Sequence, residues 1–404
     1  MVLSTGDDNP VDPLLQVDKE FSRFRPVPVA GLPRFHGGMV GYMGYEVARY
    51  FERLPSPDRD SLGLPESLLM MVDTLLVFDH LTHKIKVVSH AHLDGDIEAA
   101  YLQATRRIDT LVERLRQPIP PDASPMATAF SSSVSSNLSQ AEFEDRVSRA
   151  KDYIYAGDII QVVLSQRLAK PTSASPFAIY RSLRSINPSP YMYYLHFGDF
   201  NIVGASPELL VRVEDGMVSN HPIDGTRARG SDVVQDLALE KELRGDEKEC
   251  AEHIMLVDLG RNDIGRISEP GTVEVTQLMD VERYSHVMHL VSHVQGKLRG
   301  GLSQFDTMRA CFPAGTVSGA PKIRAMEIIA ELEPDKRGPY AGAVGYFDFS
   351  GNLDTAITIR TIVIKDGIAY IQAGGGIVAD SIPEMEYEET LNNARALLTA
   401  ISQA

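Results

Sequence analysis

The stretch Cys311–Lys322 reads CFPAGTVSGAPK, and the interpretation of the chain works outward from it. Its apolar entry predicts a strand, and the residues Ser318–Pro321 predict the start of an amphipathic helix. A proline just inside a helix, preceded by a hydroxyl residue, is typical of a helix N-terminus. The first backbone N–H groups of such a helix are free to bind an anion. A well-capped structural helix is the alternative, and neighbouring motifs have to decide between the two.

Length and composition indicate a globular enzyme-sized chain and exclude several classes of protein. The 404 residues carry a net charge of −16, which argues against nucleic acid as a partner, because nucleic acid requires a basic face. An anionic substrate would then need local cations or a metal. Two cysteines give no disulfide framework, and no signal pattern or apolar run of membrane-spanning length is found. We therefore predict a cytoplasmic protein without a membrane partner.

The domain organisation is predicted in three portions. Residues 1–34 are polar and Pro-rich, which indicates a partly disordered N-terminal segment. Residues 35–136 contain a hairpin, a helix and a Pro/Ser-rich linker at 117–136. Residues 137–404 contain most of the sharply patterned segments and the motifs described below. A five-residue echo between Gly38–Tyr42 and Gly342–Tyr346 is interpreted as chance.

Hydrophobic spacing predicts an α+β fold, since long antiparallel strands and helices fall in separate blocks. Helices are predicted at Asp96–Arg116, from the capping box at Ser139–Glu142, and at Phe177–Ile186, Lys241–Val257, Ser285–Val294 and Pro383–Ser402. Strands are predicted at Leu68–Phe78 and Lys84–His90 as a hairpin, at Ile159–Leu168, as a meander at Tyr191–Phe197, Phe200–Ala205 and Leu209–Val213, and at Val344–Phe349, Asp354–Ile364 and Ile368–Ala373.

Two acidic pairs have the spacing of a shared helical face. Glu249 and Glu252 lie three residues apart, as do Glu386 and Glu389, so each pair can direct both carboxylates to one point. Four carboxylates from two facing helices would make a hard-oxygen site suited to Mg²⁺. Two solvated acidic faces are the alternative, and they are common.

Three histidines, His286, His289 and His293, fall within a segment predicted to be helical. Zinc is disfavoured, because no His-Glu-x-x-His motif and no cysteine pair accompany them. A histidine that donates or accepts a proton is a better interpretation, and a hydrogen-bonded core histidine is another.

A basic residue and a glycine run indicate an anion clamp near the C-terminus. Arg360 interrupts the apolar segment Ala356–Ile364, where a guanidinium needs a partner. Gly374, Gly375 and Gly376 follow the next predicted strand as a turn, where bare backbone can approach an anion. Together with the helix N-terminus they predict a double carboxylate clamp, and no nucleotide-binding signature competes with it.

Several longer motifs resemble the chorismate-utilising enzymes, and within them the large subunits of anthranilate synthases. They are Pro222–Arg227, Asp246–Glu249, Glu252–Asp263, Val287–Leu290 and Gly315–Lys322. The resemblance extends from Phe35 to the C-terminus and implies two stacked, mainly antiparallel β-sheets with helices on the outside. It also implies that residues 137–404 are the chorismate-binding catalytic portion.

The resemblance assigns roles residue by residue. It implies Mg²⁺ ligands at Glu252 and Glu389, with Glu249 and Glu386 beside them. It implies that Glu208 is a general acid and that His289 is tied to pyruvate elimination. The chorismate contacts that it implies are Gly225, Thr226, Thr316, Tyr340, Arg360 and Gly374–Gly376.

The residues at two positions indicate which branch of the family the chain resembles. Gln161 stands where water-activating relatives carry a lysine, and a neutral amide cannot serve as a base for water, so ammonia is the expected nucleophile. Asp224 stands where aminodeoxychorismate synthases carry a lysine and anthranilate synthases usually carry alanine. We expect Asp224 either to pair with Arg227 or Arg229 or to weaken catalysis. The implied reaction is chorismate plus ammonia to anthranilate plus pyruvate, in tryptophan biosynthesis.

The resemblance also implies partners and leaves rivals open. Ammonia would come free or from a glutamine amidotransferase small subunit, since neither cysteine lies in a glutaminase motif. Pro190, Tyr191 and Met192 resemble half of a tryptophan-inhibitor pocket, whose other half in the family's leading segment is not found. The alternatives are an aminodeoxyisochorismate synthase, an aminodeoxychorismate synthase, and an inactive subunit that only binds the amidotransferase.

Overall fold

The computed structural model describes residues 11–119, 133–283 and 287–404, and these residues form a two-sheet α+β structure. The helices are α1 Pro13–Phe21, α2 Ile97–Arg116, α3 Gln140–Tyr155, α4 Pro176–Ile186, α5 Val233–Gly245, α6 Glu247–Gly265, α7 Gln304–Cys311, α8 Lys322–Leu332 and α9 Pro383–Gln403. The strands are β1 Gly38–Met43, β2 Ser67–Val72, β3 Thr74–Asp79, β4 Lys84–Ser89, β5 Ser135–Ser136, β6 Gln161–Pro171, β7 Tyr191–His196, β8 Phe200–Ser206, β9 Leu209–Glu214, β10 Met217–Asn220, β11 Ile223–Ala228, β12 Glu274–Arg283, β13 Val287–Lys297, β14 Gly319–Ala320, β15 Ala343–Asp348, β16 Leu353–Ile357, β17 Thr361–Lys365 and β18 Ile368–Ile377.

Two large sheets carry the fold, and their paired strands are antiparallel. The first sheet has the order β11-β13-β10-β9-β16-β15-β1-β2, with β12 added beside β13. The second has the order β14-β6-β18-β17-β8-β7, with β5 added beside β6. A hydrophobic cluster between the sheets joins Tyr42 and Val344 of the first to Ile202 and Val363 of the second. The predicted stack of antiparallel sheets is therefore confirmed.

Helices cover the outer faces of both sheets, as predicted. Ile179 and Leu183 of α4 and Leu397 of α9 pack against the second sheet in one apolar cluster. Leu243 of α5 packs on Met288 of β13 in the first sheet. Burying these apolar stripes against a sheet is what holds amphipathic helices in place.

Several local predictions are confirmed, including α2, α4, α9, the β3–β4 hairpin and the capping box of α3. In α3, the Ser139 side chain accepts from the Glu142 N–H while the Glu142 carboxylate accepts from the Ser139 N–H. Helix α1 was not predicted, yet Leu14 and Phe21 join the main core. Residues 1–10, most of the predicted linker (120–132) and His286 lie outside the described residues. The division into three portions stays a prediction.

The two segments of the echo, Gly38–Tyr42 and Gly342–Tyr346, contribute to neighbouring strands of one sheet, and that their similarity is chance stays a prediction. Gly41 lies opposite Gly345 in the β1–β15 pair. An added Cβ at Gly41 would lie 2.0 Å from the carbonyl oxygen of Leu68 in β2. Glycine is required there because the neighbouring backbone approaches so closely.

The predicted helix at Ser285–Val294 is wrong, because most of that segment is strand β13. β13 pairs with β10, β11 and β12, and these partners override a weak local preference for helix. The predicted helix Lys241–Val257 is two helices, α5 and α6. Asp246 separates them, and its carboxylate accepts from the N–H groups of Lys248 and Glu249 as the N-cap of α6.

Three strand predictions are also wrong, because each of them joins strands that belong to different sheets. Leu68–Phe78 divides into β2 of the first sheet and β3 of the hairpin. The predicted meander is interrupted, because β8 belongs to the second sheet and β9 to the first. Asp354–Ile364 likewise divides into β16 and β17 of different sheets. A run of apolar residues does not reveal that a chain crosses between layers.

The stretch Cys311–Lys322 differs from its prediction at both ends. Cys311 ends helix α7 and is not part of a strand. Gly319–Ala320 forms the short strand β14 against β6, so helix α8 begins only after Pro321. The Ser318 hydroxyl donates to the Ala314 carbonyl and does not cap the helix. The start of α8 is absent from the main cavity described below, whereas Thr316 and Val317 line it.

Candidate active site

The two places where the chain crosses between the sheets lie side by side. One crossover contains Ser206–Glu208, between β8 and β9, and the other contains Thr358–Arg360, between β16 and β17. The Ile357 N–H donates to the Glu208 carbonyl at 3.1 Å, and the Ala205 N–H donates to the Arg360 carbonyl at 3.1 Å. These two backbone hydrogen bonds hold the carboxyl residue Glu208 and the cationic residue Arg360 at neighbouring points between the two sheets.

A cavity of about 570 Å³ opens at these crossovers and collects nearly all of the predicted site. Its lining includes the predicted residues Gln161, Glu208, Gly225, Thr226, Glu249, Glu252, Thr316, Tyr340, Arg360, Gly374, Gly375, Gly376, Glu386 and Glu389, and also Asp224. We call Glu208, Thr316, Tyr340 and Arg360 the crossover wall, and Glu249, Glu252, Glu386 and Glu389 the carboxylate wall.

Two helices, α6 and α9, contribute the glutamates of the carboxylate wall from near their N-terminal ends. Glu249 and Glu252 lie on α6, and Glu386 and Glu389 lie on α9. Loss of surrounding water raises the pKa of Glu389, and repulsion from Glu386 and Glu252 raises it further. The pKa of Glu252 is also raised, again first by burial. Carboxylates that repel one another in this way can bind a cation.

The carboxylate wall fits a hard divalent cation. Oε2 of Glu386 is buried and has no hydrogen-bond partner among the described residues. Glu386 and Glu389 both approach Gly375, where an added Cβ would lie 3.3 and 3.4 Å from their oxygens. Within the described part of the chain, no three acidic or histidine side chains already converge on one point. Rotation of these flexible side chains would be needed to bring three carboxylates onto one Mg²⁺ ion.

Gln161 connects strand β6 to the carboxylate wall. Its side-chain amide donates to Oε1 of Glu252 at 3.2 Å. A neutral amide in this position orients the carboxylate but has no basic atom for proton abstraction. An added Cβ at Gly376 would lie 2.5 Å from Nε2 of Gln161, so a larger residue there would displace the amide from its present position.

Arg360 does not lie inside a strand, contrary to the prediction, but at the crossover, with a positive φ of 49°. A left-handed backbone at a residue other than glycine is costly and is common at functional sites. Among the described residues no ion pair involves Arg360, and its closest recorded contact is a 3.5 Å approach to Oδ1 of Asn393. A buried guanidinium without a carboxylate partner can bind an anionic ligand.

The glycine triplet also differs from its prediction, because Gly374–Gly376 lie within strand β18 and not in a turn. An added Cβ at Gly374 would lie 2.8 Å from the Tyr340 hydroxyl. The Asn393 amide donates to the Gly374 carbonyl at 3.2 Å. Asn393 therefore links Arg360 to the triplet, which brings two parts of the predicted clamp together, whereas the third part, the start of α8, does not line the cavity.

Glu208 is buried in the crossover wall, and its environment favours the neutral acid. Burial raises the pKa of Glu208 to about 8, a hydrogen bond from Thr316 lowers it, and the charge of Asp224 raises it. The Thr316 hydroxyl donates to Oε1 of Glu208 at 2.9 Å. A carboxylic acid that stays protonated near neutral pH is suited to general acid catalysis.

Among the described residues no arginine pairs with Asp224, so the expected pairing with Arg227 or Arg229 is wrong. Arg227 pairs with Glu242, Asp246 and Glu249, and Arg229 pairs with Asp236. Burial, together with the charges of Glu252, Glu249 and Glu389, raises the pKa of Asp224 to about 7, although a hydrogen bond from the Gly225 backbone lowers it. Asp224 therefore adds a partly protonated carboxyl between the two walls.

His289 does not line the cavity but lies directly behind it. Its Nδ1 is 3.1 Å from both the Gly225 carbonyl and the Thr226 hydroxyl. Burial lowers the pKa of His289, so the ring is neutral near pH 7. On a strand, His289 and His293 are about 13 Å apart, too far to share a zinc ion.

The residues predicted for an inhibitor pocket lie apart from the cavity lining, and inhibitor binding by them stays a prediction. Tyr191 and Met192 begin β7 and Pro190 directly precedes it; the Tyr191 hydroxyl donates to Asp354. Asn393 and Lys248 line the cavity but were not predicted. The spacing Glu386, Glu389 and Asn393 on one helical face could have revealed the asparagine.

Known proteins match this chain over nearly its whole length. The family model described as chorismate binding enzyme matches residues 4–399. Anthranilate synthase component 1 of Acetivibrio thermocellus is 54% identical over 98% of this chain and 81% of its own length. The same component of Pseudomonas aeruginosa is 54% identical over 97% of this chain and 80% of its own.

Solved structures agree with these sequence matches. Anthranilate synthase component I of Streptococcus pneumoniae superposes with a TM-score of 0.86 at 43% identity, covering 97% of this chain and 86% of that one. The menaquinone-specific isochorismate synthase of Escherichia coli, at 20% identity and a TM-score of 0.70, covers 96% of this chain and 98% of its own and shares the fold. The chain therefore belongs to the chorismate-binding enzymes, and within them to the family of anthranilate synthase component 1.

Proposed function

We propose that the chain converts chorismate and ammonia to anthranilate and pyruvate in a Mg²⁺-dependent lyase reaction of tryptophan biosynthesis. The observation that carries this proposal is the cavity itself, whose lining combines a buried neutral acid, Glu208, with four glutamates and with Arg360, which forms no ion pair among the described residues. Chorismate is a small dianion, and a chain with a net charge of −16 must bind it through local positive charge.

Mg²⁺ would be held by Glu252 and Glu389, with Glu249 and Glu386 beside them. The donor set supports this assignment, because carboxylate oxygens are the ligands that magnesium prefers. When bound, the ion would neutralise the ring carboxylate of chorismate and act as a Lewis acid toward the ring. Gln161 would hold Glu252 in place through its 3.2 Å hydrogen bond.

The second carboxylate of chorismate, on the enolpyruvyl group, would lie against Arg360, Tyr340 and Gly374–Gly376. Arg360 supplies charge-assisted hydrogen bonds, which are stronger than neutral ones. Because glycine has no side chain, the anion can approach the backbone amides of the triplet closely. Gly225 and Thr226, at a bulge in β11, would contact the ring from the other side.

Glu208 would protonate the departing 4-hydroxyl, which leaves as water, while ammonia forms a bond to C2. The Thr316 hydroxyl holds Oε1 of Glu208 at 2.9 Å and so orients the acid. Loss of the C2 proton and of pyruvate then gives the aromatic ring. His289, neutral and bonded to Thr226 and Gly225, would support this elimination from behind the cavity.

The experiment that tests the proposal incubates the purified chain with chorismate, MgCl₂ and ammonium, and identifies the products by mass spectrometry. We expect anthranilate and pyruvate in equal amounts, and loss of both on chelation of the metal. Accumulation of aminodeoxyisochorismate or aminodeoxychorismate would contradict the proposal in favour of those synthases. Absence of any product would favour the inactive binding subunit.

A separate ammonia-supplying partner also belongs to this proposal. The name of the relatives, component 1, indicates a further component, and we propose that it is a glutamine amidotransferase. Among the described residues no helix is long and apolar enough to cross a membrane. The cytoplasmic location stays a prediction, and so does tryptophan binding at Pro190–Met192.

A further inference from the structure

A second, smaller cavity lies directly behind Glu208. Its volume open to water-sized molecules is about 40 Å³, and it shares Glu208, Leu256 and Thr316 with the main cavity. The remaining wall includes Asn220, His221, Asp263 and Cys311. The segment Cys311–Thr316, from the stretch that opens the sequence analysis, therefore separates two compartments. We call this small cavity the rear compartment.

One residue of the wall of the rear compartment, Asn220, carries a buried polar atom whose hydrogen-bonding capacity the described part of the protein does not use. Asn220 is only 9% exposed, and its Oδ1 is buried without a hydrogen-bond partner among the described residues. The Asn220 side chain is pressed against α6, where an added Cβ at Gly260 would lie 2.7 Å from its Nδ2. A buried carbonyl oxygen left unpaired costs about 1–3 kcal/mol, so a partner for it is expected.

The wall of the rear compartment also includes one partner of an ion pair. Nζ of Lys322 donates to Oδ2 of Asp263 at 2.7 Å, and Asp263 lines the compartment. The half-buried His221 forms part of the same wall and lies edge-on to the ring of His293. The compartment thus brings together Glu208, the buried polar residues Asn220 and Asp263, and the partly exposed His221.

Volume and polarity together identify water as the occupant. About 10–15 Å³ of such volume accommodates one water molecule, so the rear compartment has room for about two or three. Apolar cavities stay dry, but a cavity with unpaired polar atoms fills with ordered water that hydrogen-bonds to them. Asn220 Oδ1, Asp263 and the Glu208 carboxyl are suitable partners.

We propose that the rear compartment holds a short chain of water molecules that returns a proton to Glu208 in each turnover, with Asn220 as the residue that positions it. This inference rests on the proposed function, in which Glu208 gives its proton to the departing hydroxyl. The resulting carboxylate takes a proton from the adjacent water molecule, which takes a proton from the next one. The last water molecule takes its proton from bulk solvent near His221. The proton that ammonia loses when it bonds to the ring is released to solvent separately. Each turnover therefore takes up one proton and releases one proton.

The geometry explains why such a route is needed. Once chorismate fills the main cavity, the side of Glu208 that faces the substrate is closed to bulk water. The rear compartment also contacts Glu208, and only Leu256 and Thr316 of its other lining residues line the main cavity as well. A buried acid must be reprotonated in every turnover, and a proton route that does not cross the bound substrate makes this possible.

The test replaces Asn220 with leucine, which has the same branching at Cγ and no polar atom. We expect kcat to fall about tenfold, less than the 10²–10⁴-fold that a general acid itself contributes, because Asn220 only positions the water, and we expect KM for chorismate to be unchanged. The solvent deuterium isotope effect on kcat should increase, and small acidic buffers should restore part of the rate. A purely structural defect would change neither the isotope effect nor the response to buffer.

Ser268→Ala is the matched control, because Ser268 Oγ is also buried without a partner among the described residues but lies outside the compartment. We expect its kinetics to equal those of the wild type. If Asn220→Leu does not fold, Ala314→Val narrows the same compartment from the other side and should give the same changes.

A high-resolution crystal structure of the wild-type chain provides a readout other than activity. We expect ordered water within hydrogen-bond distance of Asn220 Oδ1 and of the Glu208 carboxyl. A dry compartment, or an Asn220→Leu enzyme with wild-type kcat and isotope effect, would overturn the inference. A wild-type chain that makes no anthranilate would instead overturn the proposed function, so the two failures are distinguishable.

Discussion

The two walls of the main cavity are built in different ways. The carboxylate wall comes from two helices, each of which presents a pair of glutamates by its local spacing of three residues. The crossover wall comes from segments outside the long helices and strands, and the two segments that cross between the sheets, at Glu208 and Arg360, are held by backbone hydrogen bonds. The comparison teaches that a repelling cluster of like charges can rest on local helices, whereas a buried acid and an unpaired guanidinium need a rigid tertiary frame.

The largest effect is expected in the carboxylate wall. Glu252→Ala and Glu389→Ala should each reduce activity below detection and abolish Mg²⁺ binding measured by calorimetry, because the remaining glutamates cannot complete the site. Glu388→Ala, on the exposed face of the same helix, is the matched control and should leave both unchanged. Full activity of either variant in chelated buffer would show that the wall does not hold the metal.

Glu208→Gln in the crossover wall should lower kcat about 10²–10⁴-fold, the usual contribution of a general acid. The amide keeps the shape but has no proton to give. In the wild type, kcat should fall as the pH rises through about 8, because the protonated form is the active one and burial raises the pKa of Glu208 to that value. Retention of this alkaline limb in Glu208→Gln would assign it to another group.

Arg360→Lys should raise KM for chorismate about 10–100-fold, because a charged hydrogen bond contributes about 1.5–3 kcal/mol. Lysine keeps the charge but loses the planar fork that binds a carboxylate with two bonds. Steady-state kinetics at saturating ammonium measure the change. Arg395→Lys, on the exposed part of α9, should have no effect, and an unchanged KM in Arg360→Lys would remove the guanidinium from the substrate clamp.

The smallest effects should come from the neighbours of Glu208, and they should have opposite signs. Thr316 donates a hydrogen bond that lowers the pKa of Glu208, so Thr316→Val should move the alkaline limb to higher pH. The charge of Asp224 raises that pKa, so Asp224→Asn should move the limb to lower pH. The pH dependence of kcat measures both, and shifts in the same direction would contradict the assignment of the limb to Glu208.

The carboxylate wall shows how much of a site local sequence can predict. Each glutamate pair, its helix and its preference for a hard cation follow from spacing and residue type, although the helix of the first pair begins at Glu247 and not at Lys241. Spacing alone could not distinguish a metal site from two solvated faces. Only the packing of α6 and α9 around one cavity decides that.

The crossover wall shows the limit of that approach. Arg360 was predicted within a strand, and His289 within a helix, because hydrophobic periodicity does not mark where a chain changes sheets or which partners a strand has. The pKa of Glu208 depends on its burial beside Thr316 and Ile357, which are more distant in the sequence. The rear compartment has no local signal, since its wall combines β10, α6 and the segment after α7.

The sequence by itself determined the helices that carry the four glutamates, the α+β class and the motifs shared with chorismate-binding enzymes, because these depend on neighbouring residues and short periods. Only the tertiary structure decided which strands share a sheet, where Arg360 and the glycine triplet lie, and that Glu208 is buried between two cavities. Burial and electrostatic coupling arise from residues brought together by folding, and no local pattern contains them.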